Sequence, residues 1–131
     1  MNLNHVTLCI SDLDRSVDFY RQLGLTQIVA DSDYARFVCP DGDSTLSLHC
    51  HPGSGPLEGA ASVISVHFET DRLDEVVAEL EAKGIEFEQA PTEQPYLWRE
   101  AILRDPDGHR IFLYHAGVNR LDPPWRLPQT R

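Results

Sequence analysis

The sequence contains no apolar run approaching the ~20 residues of a membrane-spanning helix, and it has no cluster of Lys and Arg. Of its 131 residues, 21 are acidic and 11 are Lys or Arg, which gives a formal net charge of −10. This charge repels nucleic-acid backbones and anionic membrane surfaces, so we expect neither as a partner. Asn2, Asn4 and His5 interrupt any signal-peptide pattern at the start of the sequence.

Cysteine is also scarce. Cys9, Cys39 and Cys50 are odd in number and match no metal-binding spacing such as CxxC. They predict free thiols in a reducing compartment, so we expect a cytoplasmic protein. The sequence has neither a Ser-His-Asp order nor a glycine-rich phosphate loop, and no residue is assigned a catalytic role.

The stretch from Asn4 to Leu25 predicts a strand followed by an amphipathic helix. Ser11-Asp12 offers a helix cap, with Asp14 placed as in a capping box, and Gly24 suits a left-handed C-cap. Strand side chains alternate between faces, so apolar residues share one face and polar residues the other, namely His5, Thr7 and Cys9. Burying that polar set in a plain core is unfavourable, which predicts one structural face and one ligand-facing side.

The second half of the chain repeats this plan. Asp71 can cap a second helix that Gly84 ends, and Pro-Asp-Gly turns occur at 40–42 and 106–108. The spacing predicts an internal duplication of a βαβββ unit. The predicted strands are 3–10, 26–30, 34–39, 45–51, 62–69, 85–89, 97–104 and 110–115, with a loop at 90–95. The prediction is one domain over 1–115 built from modules 1–52 and 60–115, a linker at 53–59 and an extended C-terminal tail over 116–131.

HVTLCISDLDRSVDFYRQLGL at 5–25 and RDPDGHRIFLYH at 104–115 resemble the vicinal oxygen chelate superfamily. That superfamily includes glyoxalase I, the fosfomycin and bleomycin resistance proteins and the extradiol dioxygenases. The resemblance implies an α+β fold in which two paired βαβββ modules form a U-shaped sheet cavity. It also implies a homodimer with a small-molecule ligand in that cavity.

Metalloenzymes of this superfamily hold a divalent ion with side chains from the first, fourth, fifth and eighth strands. The resemblance places these positions on His5, on Ser47 or His49, on Val63 and on Phe112. The side chains of Val63 and Phe112 have no donor atom, so we expect neither the usual metal site nor another cofactor. If a variant divalent-metal site exists, its candidate ligands are His5, His49 and Glu100.

Aromatic and polar residues on the ligand-facing side are the candidate binding residues. Aromatic rings give large stacking surfaces, which suit a planar organic ligand better than an ion. The candidates are His5, Ser47, His49, His67, Trp98, Glu100, Phe112 and Tyr114. We expect His51 at the surface and His109 in solvent beside its turn.

Three functions remain open from the sequence. The first is a metal-free protein that binds a planar or polar organic ligand. The alternative is a metal-dependent enzyme (a lyase, thiol transferase or extradiol dioxygenase) with a variant site that uses His5. The third is a structural or regulatory dimer whose cavity is vestigial.

Overall fold

The computed structural model describes residues 1–50 and 64–128, so the predicted linker at 53–59 and His51 lie outside the described residues. The chain divides into a first unit, residues 1–64 with 105–109, and a second unit, residues 65–104 with 110–131. The elements in chain order are β1 (His5–Ile10), α1 (Leu13–Leu23), β2 (Thr26–Ala30), β3 (Tyr34–Val38), β4 (Thr45–Cys50), β5 (Ser65–Glu69), α2 (Leu73–Ala82), β6 (Phe87–Glu93), β7 (Arg99–Arg104) and β8 (Arg110–His115).

Each unit contains one four-stranded sheet and one helix. The first sheet has the order β1-β4-β3-β2, and the second has the order β5-β8-β7-β6. In each, the first and last strands of the unit pair in parallel and the remaining pairs are antiparallel. This is the predicted α+β fold of two βαβββ modules.

The termini of α1 agree with the sequence pattern except at the capping box. The Asp12 side chain accepts a hydrogen bond from the Arg15 backbone N–H at 3.1 Å, and Gly24 is the C-cap with φ +112°. Asp12 therefore caps the helix alone. The Ser11 hydroxyl donates elsewhere, so the box predicted from Ser11 and Asp14 does not form.

The start of α2 differs from the prediction. Its N-cap is Arg72, whose side chain makes no capping hydrogen bond, so the cap predicted at Asp71 is wrong. The Arg72 backbone N–H instead donates to Thr70 Oγ1 at 3.1 Å. A hydroxyl two residues upstream thus binds the backbone N–H of the N-cap residue itself, which precedes the donors of the first helical turn.

β6 continues to Glu93, so residues 90–93 of the segment predicted as a loop at 90–95 are strand and that part of the prediction is wrong. The segment contains Pro91, which cannot donate to a sheet ladder. β6 is an edge strand, and its register against β7 shifts between Gln89 and Thr92. Proline is tolerated where the ladder is already interrupted at an edge, so the strand continues past it.

The core of each unit lies between its helix and the adjacent sheet face. In the first unit the buried apolar side chains include Leu8, Ile10, Tyr20, Phe37 and Leu48, and in the second they include Leu73, Val77, Leu103, Ile111 and Leu113. Burying each such aliphatic side chain stabilises the fold by about 1.5–3 kcal/mol relative to exposure. Consequently the opposite sheet faces are free to carry other chemistry.

The two modules correspond position by position. Leu13 and Leu73 begin the helices 60 residues apart, and this offset places Thr7 on His67. Thr7 pairs with Ser47 in β4, and His67 pairs with Phe112 in β8. Ser47 and Phe112 are therefore structural counterparts in the two modules.

The segment 105–109 connects β7 to β8 along the chain and belongs to the first unit. His109 is buried, and its Nε2 lies 2.8 Å from the Cys9 carbonyl oxygen, so the expectation that it is solvated is wrong. Asp105 accepts a hydrogen bond from the Tyr20 hydroxyl at 2.7 Å. Burial raises the pKa of Asp105, although the hydrogen bond from Tyr20 favours the charged carboxylate.

The residues after β8 are not fully extended as predicted, because Gly117–Arg120 forms a 3-10 helix. The backbone N–H groups of Ala116 and Gly117 donate to Glu69 Oε2 at 2.8 and 2.9 Å. That carboxylate holds the chain in a bend as it leaves β8. No helix within residues 1–50 and 64–128 is long and apolar enough to cross a membrane.

Candidate ligand-binding site

Polar side chains cover the face of the first sheet opposite its core. His5, Thr7 and Cys9 are exposed, whereas Leu8 and Ile10, which alternate with Thr7 and Cys9, are buried. The predicted alternation of β1 is therefore confirmed. We call the surface formed by His5, Thr45, Ser47, Tyr34 and Arg36 the polar face.

A chain of hydrogen bonds links these five side chains. His5 Nδ1 lies 2.6 Å from Thr45 Oγ1, and His5 Nε2 lies 3.3 Å from Ser47 Oγ. Ser47 Oγ is 2.5 Å from the Tyr34 hydroxyl, which accepts a hydrogen bond from Arg36 Nε at 2.9 Å. Ser47 is fully buried beneath these contacts, so its hydroxyl positions the two larger side chains beside it.

Tyr34 and Arg36 were not among the candidates from the sequence. In β3 they alternate with buried Ala35 and Phe37, and they pair with His49 and Ser47 of β4. That alternation was the available signal. The hydrogen bond from Ser47 and the adjacent Arg36 guanidinium lower the pKa of the Tyr34 phenol, against the opposing effect of desolvation.

His49 lies further along the same sheet. Its Nε2 is 3.9 Å from a carboxylate oxygen of Asp33, and its ring packs edge-on to Tyr34 at 6.2 Å between centroids. His5 pairs with Thr45, four residues before His49 in β4. Four residues along a strand span about 13 Å, too far for His5 and His49 to bind the same ion directly.

Aromatic rings cover the corresponding face of the second sheet. His67 stacks on Phe112 with centroids 4.4 Å apart and planes 15° apart, and Trp98 stacks on Tyr114 at 4.7 Å and 22°. His67 also meets Tyr114 edge-on at 5.5 Å and Trp98 at 6.2 Å. We call the surface formed by His67, Trp98, Phe112 and Tyr114 the aromatic face. Four of the predicted binding residues therefore form a single contiguous cluster.

A buried carboxylate adjoins this cluster. Glu100 is only 3% exposed and accepts a hydrogen bond from the Tyr96 hydroxyl. Burial and this bond raise the pKa of Tyr96 to about 12, which keeps the phenol protonated as the donor. Tyr96 also packs edge-on to Trp98 at 5.9 Å. One edge of the aromatic face thus carries an acidic group.

His67 is an uncharged stacking group at neutral pH. Desolvation by the surrounding rings lowers its pKa, and Glu100 opposes that shift more weakly. A neutral imidazole stacks on Phe112 without the cost of desolvating a charge. The aromatic face is therefore uncharged apart from Glu100 at its edge and Arg110, whose guanidinium lies 5.4 Å from the Phe112 ring centroid.

The residues at the superfamily's metal-ligand positions do not fit a divalent ion. The phenyl ring of Phe112 has no donor atom and is stacked on His67, and the hydroxyl of Ser47 is already bonded to Tyr34. Val63 lies outside the described residues, and the 60-residue offset between the helices makes Ser65 the counterpart of His5 in the second module. Within 1–50 and 64–128, no group of three or more His, Cys, Asp or Glu side chains could hold a metal.

Two βαβββ modules, each with one four-stranded sheet and one helix, define a protein of the glyoxalase fold. The chain belongs to the Glyoxalase/Bleomycin resistance protein/Dioxygenase superfamily, whose family model matches residues 2–113. It is 25% identical over 127 residues to the uncharacterized protein YraH of Bacillus subtilis strain 168, covering 87% of this chain and 98% of YraH.

Solved structures with this fold include proteins that bind an antibiotic. A bleomycin-binding protein complexed with bleomycin is 26% identical with a TM-score of 0.70, covering 88% of this chain and 98% of that protein. A bleomycin resistance determinant encoded on the transposon Tn5 is also 26% identical, with a TM-score of 0.72 and the same coverage. A superfamily member from Nocardioides, 24% identical with a TM-score of 0.78 over 98% of this chain and 90% of its own, shares the fold.

Proposed function

We propose that this protein binds a planar organic molecule on the aromatic face, without the divalent metal used by the metalloenzymes of the superfamily. The observation that carries this proposal is the stacking of His67 on Phe112 at the position where a metal-binding relative has a carboxylate. A phenyl ring at that position offers stacking surface in place of a metal ligand.

The ring surface of the aromatic face is large enough to bind a planar ligand by burial of apolar area. Covering about 200 Å² of apolar ring surface contributes roughly 5 kcal/mol before the entropic cost of association. Trp98 and Tyr114 are already parallel, so little side-chain reorganisation opposes the stacking of a further ring. The rings are held by one another and by the bond from Trp98 Nε1 to the Asn119 carbonyl at 3.4 Å.

Glu100 favours a ligand that carries a positive charge. Its carboxylate is buried and hydrogen-bonded to Tyr96 beside the rings, and aromatic faces themselves attract cations. The net charge of −10 acts in the same direction at long range. This chain is similar to a bleomycin-binding protein and to a bleomycin resistance determinant, so bleomycin is a suitable first probe.

A thermal-shift screen tests this proposal. Chelator-treated protein is heated with bleomycin and with a panel of planar cationic compounds, because a ligand that binds only the folded state raises its melting temperature. We expect a shift in the wild type that is reduced in Phe112→Leu and retained in Ile28→Ala, which alters an exposed residue of the first sheet. A panel that produces no shift contradicts the proposal and favours a vestigial cavity.

The second candidate is a metal-dependent enzyme that uses His5. It is favoured by the exposure of this imidazole and its connection through Ser47 to Tyr34, whose pKa is lowered. A stoichiometric metal that is lost in His5→Ala would support this candidate. Because Phe112 and Ser47 supply no suitable ligand, we favour the binding function.

We also propose that the protein is a cytoplasmic homodimer. Its three cysteines are free thiols, as expected in a reducing compartment. Large apolar side chains are exposed near the end of the chain and suit contact with a second copy; they are Val118, Leu121, Trp125 and Leu127. Sedimentation as a dimer that becomes monomeric in Leu121→Asp supports this arrangement, whereas a wild-type monomer contradicts it.

A further inference from the structure

Arg36 on the polar face has guanidinium N–H donors that make no hydrogen bond within the described residues of its unit. The side chain is half-buried, and its guanidinium carbon lies 5.4 Å from the centroid of the Tyr34 ring. Its Nε donates to the Tyr34 hydroxyl at 2.9 Å. These two contacts fix the plane of the guanidinium and leave its terminal nitrogens as the available donors.

The charge of Arg36 is not neutralised by a carboxylate in the part of the chain that the structure describes. Other arginines there form ion pairs, namely Arg15, Arg72, Arg99, Arg104, Arg120 and Arg126. Asp33, next to Tyr34 in sequence, lies against His49 at 3.9 Å. Arg36 is therefore held in place by the Tyr34 hydroxyl rather than by a carboxylate, although the chain has 21 acidic residues.

On its β4 side Arg36 adjoins a series of hydrogen-bonding groups, whereas its partner in β2 is Val29. The Tyr34 hydroxyl connects to Ser47 at 2.5 Å, and Ser47 connects to His5 at 3.3 Å. The fixed fork of a guanidinium matches two oxygens of a carboxylate or phosphate. Long-range repulsion by a net charge of −10 opposes anion binding, so such a site depends on donors that are already in position.

We propose that Arg36, oriented by Tyr34 and Ser47, binds an oxyanion of a small molecule through its terminal guanidinium nitrogens. The ligand class is a carboxylate or phosphate ester whose oxyanion lies against the polar face. The site belongs to a different sheet from the aromatic face, so either proposal can fail without the other.

Titration with inorganic phosphate and with acetate, at constant ionic strength set by chloride, tests this site. NMR follows the Nε–Hε resonance of Arg36 in the wild type and the backbone amide resonances of β3 and β4 in the wild type and every variant. We expect a saturable shift in the wild type and binding weakened about tenfold or more in Arg36→Gln, because charge-assisted hydrogen bonds are lost. Arg21→Gln, which removes an exposed arginine of α1, is the matched control and should bind like the wild type.

Two further variants test the guanidinium geometry separately from the charge. Arg36→Lys keeps the positive charge but lacks the planar guanidinium, and Tyr34→Phe removes the hydroxyl that orients Arg36. Each variant should bind the anions more weakly than the wild type and unfold at the same temperature as the wild type, which excludes a folding defect. Stronger binding of acetate identifies a carboxylate ligand, and stronger binding of phosphate identifies a phosphate ester. Absence of a saturable shift, or equal binding by Arg36→Gln and the wild type, overturns the proposal.

Discussion

The carboxylate of Asp107 accepts hydrogen bonds from the backbone N–H of Ser11 at 3.1 Å and from its hydroxyl at 2.5 Å, although 96 residues separate the two in sequence. The Ser16 hydroxyl also donates to Asp107 at 3.4 Å. The carboxylate therefore lies at the start of α1, where negative charge stabilises a helix. The DPDG turn that carries the superfamily resemblance thus has a structural function in the first unit.

Replacing Asp107 by Ala should destabilise the fold by about 2 kcal/mol, because hydrogen bonds to a charged group are lost and the Ser11 donors stay partly buried. The Asp107 side chain is only 2% exposed, so water does not readily replace it. Urea denaturation measures the change. Asp41→Ala, in the exposed Pro-Asp-Gly turn of the first module, is the control and should change stability by less than about 0.5 kcal/mol. Equal effects in the two variants would refute this function of Asp107.

Leu97 has φ +67° and is the non-glycine residue with positive φ among residues 1–50 and 64–128. Its side chain is 45% exposed, so packing does not compensate fully for the strained backbone. Leu97→Gly should therefore raise the free energy of unfolding by a few tenths to about 1 kcal/mol. Leu97→Ala retains the Cβ that causes the strain and should give no such gain. Equal gains in both variants would indicate that the side chain, rather than the backbone, is unfavourable.

His67 should make stability depend on pH below its ordinary pKa of 6.5. Its folded-state pKa is lowered, mainly by burial, so the unfolded chain binds more protons as the pH falls through 6.5 and below. Stability should accordingly decrease between about pH 7.5 and about pH 5, and His67→Phe should reduce that decrease. Urea denaturation at both pH values and NMR titration of the imidazole measure this effect. A His67 pKa at or above 6.5 in the folded protein would contradict it.

Protein purified without chelators should contain no stoichiometric divalent metal. The expectation follows from the aromatic and hydroxyl side chains at Phe112 and Ser47, which are unsuitable as ligands. Elemental analysis of wild type and His5→Ala is the measurement. One equivalent of Fe, Mn, Ni or Zn that disappears in His5→Ala would instead support the enzymatic alternative.

Several local features of the fold were predicted correctly from the sequence. Alternation in β1, the cap at Asp12 and the left-handed Gly24 are each set by nearby residues. The loop predicted around Pro91 was wrong because the effect of a proline depends on whether its strand lies at a sheet edge, and that is a property of the whole sheet. The expected solvent exposure of His109 was wrong for a related reason, since its hydrogen-bond partner, the Cys9 carbonyl, is 100 residues away in the sequence.

The candidate site was predicted less completely than the fold. The sequence analysis placed His67, Phe112 and Tyr114 on the ligand-facing side, and the structure brings their rings into contact. Tyr34 and Arg36 were missed because a short strand with one tyrosine and one arginine resembles an ordinary surface strand. Only the register of β3 against β4 brings them to Ser47. Binding by any of these residues stays a prediction.

Fluorescence titration of two single-tryptophan variants tests the central claim most directly, because the chain has only two tryptophans. Trp125→Phe reports from Trp98 on the aromatic face, and Trp98→Phe reports from the exposed Trp125. In chelator-treated protein, a compound identified by the thermal screen should saturably quench the tryptophan fluorescence of Trp125→Phe and leave the fluorescence of Trp98→Phe unchanged. Binding that requires an added metal, or that quenches only Trp125, would contradict the account.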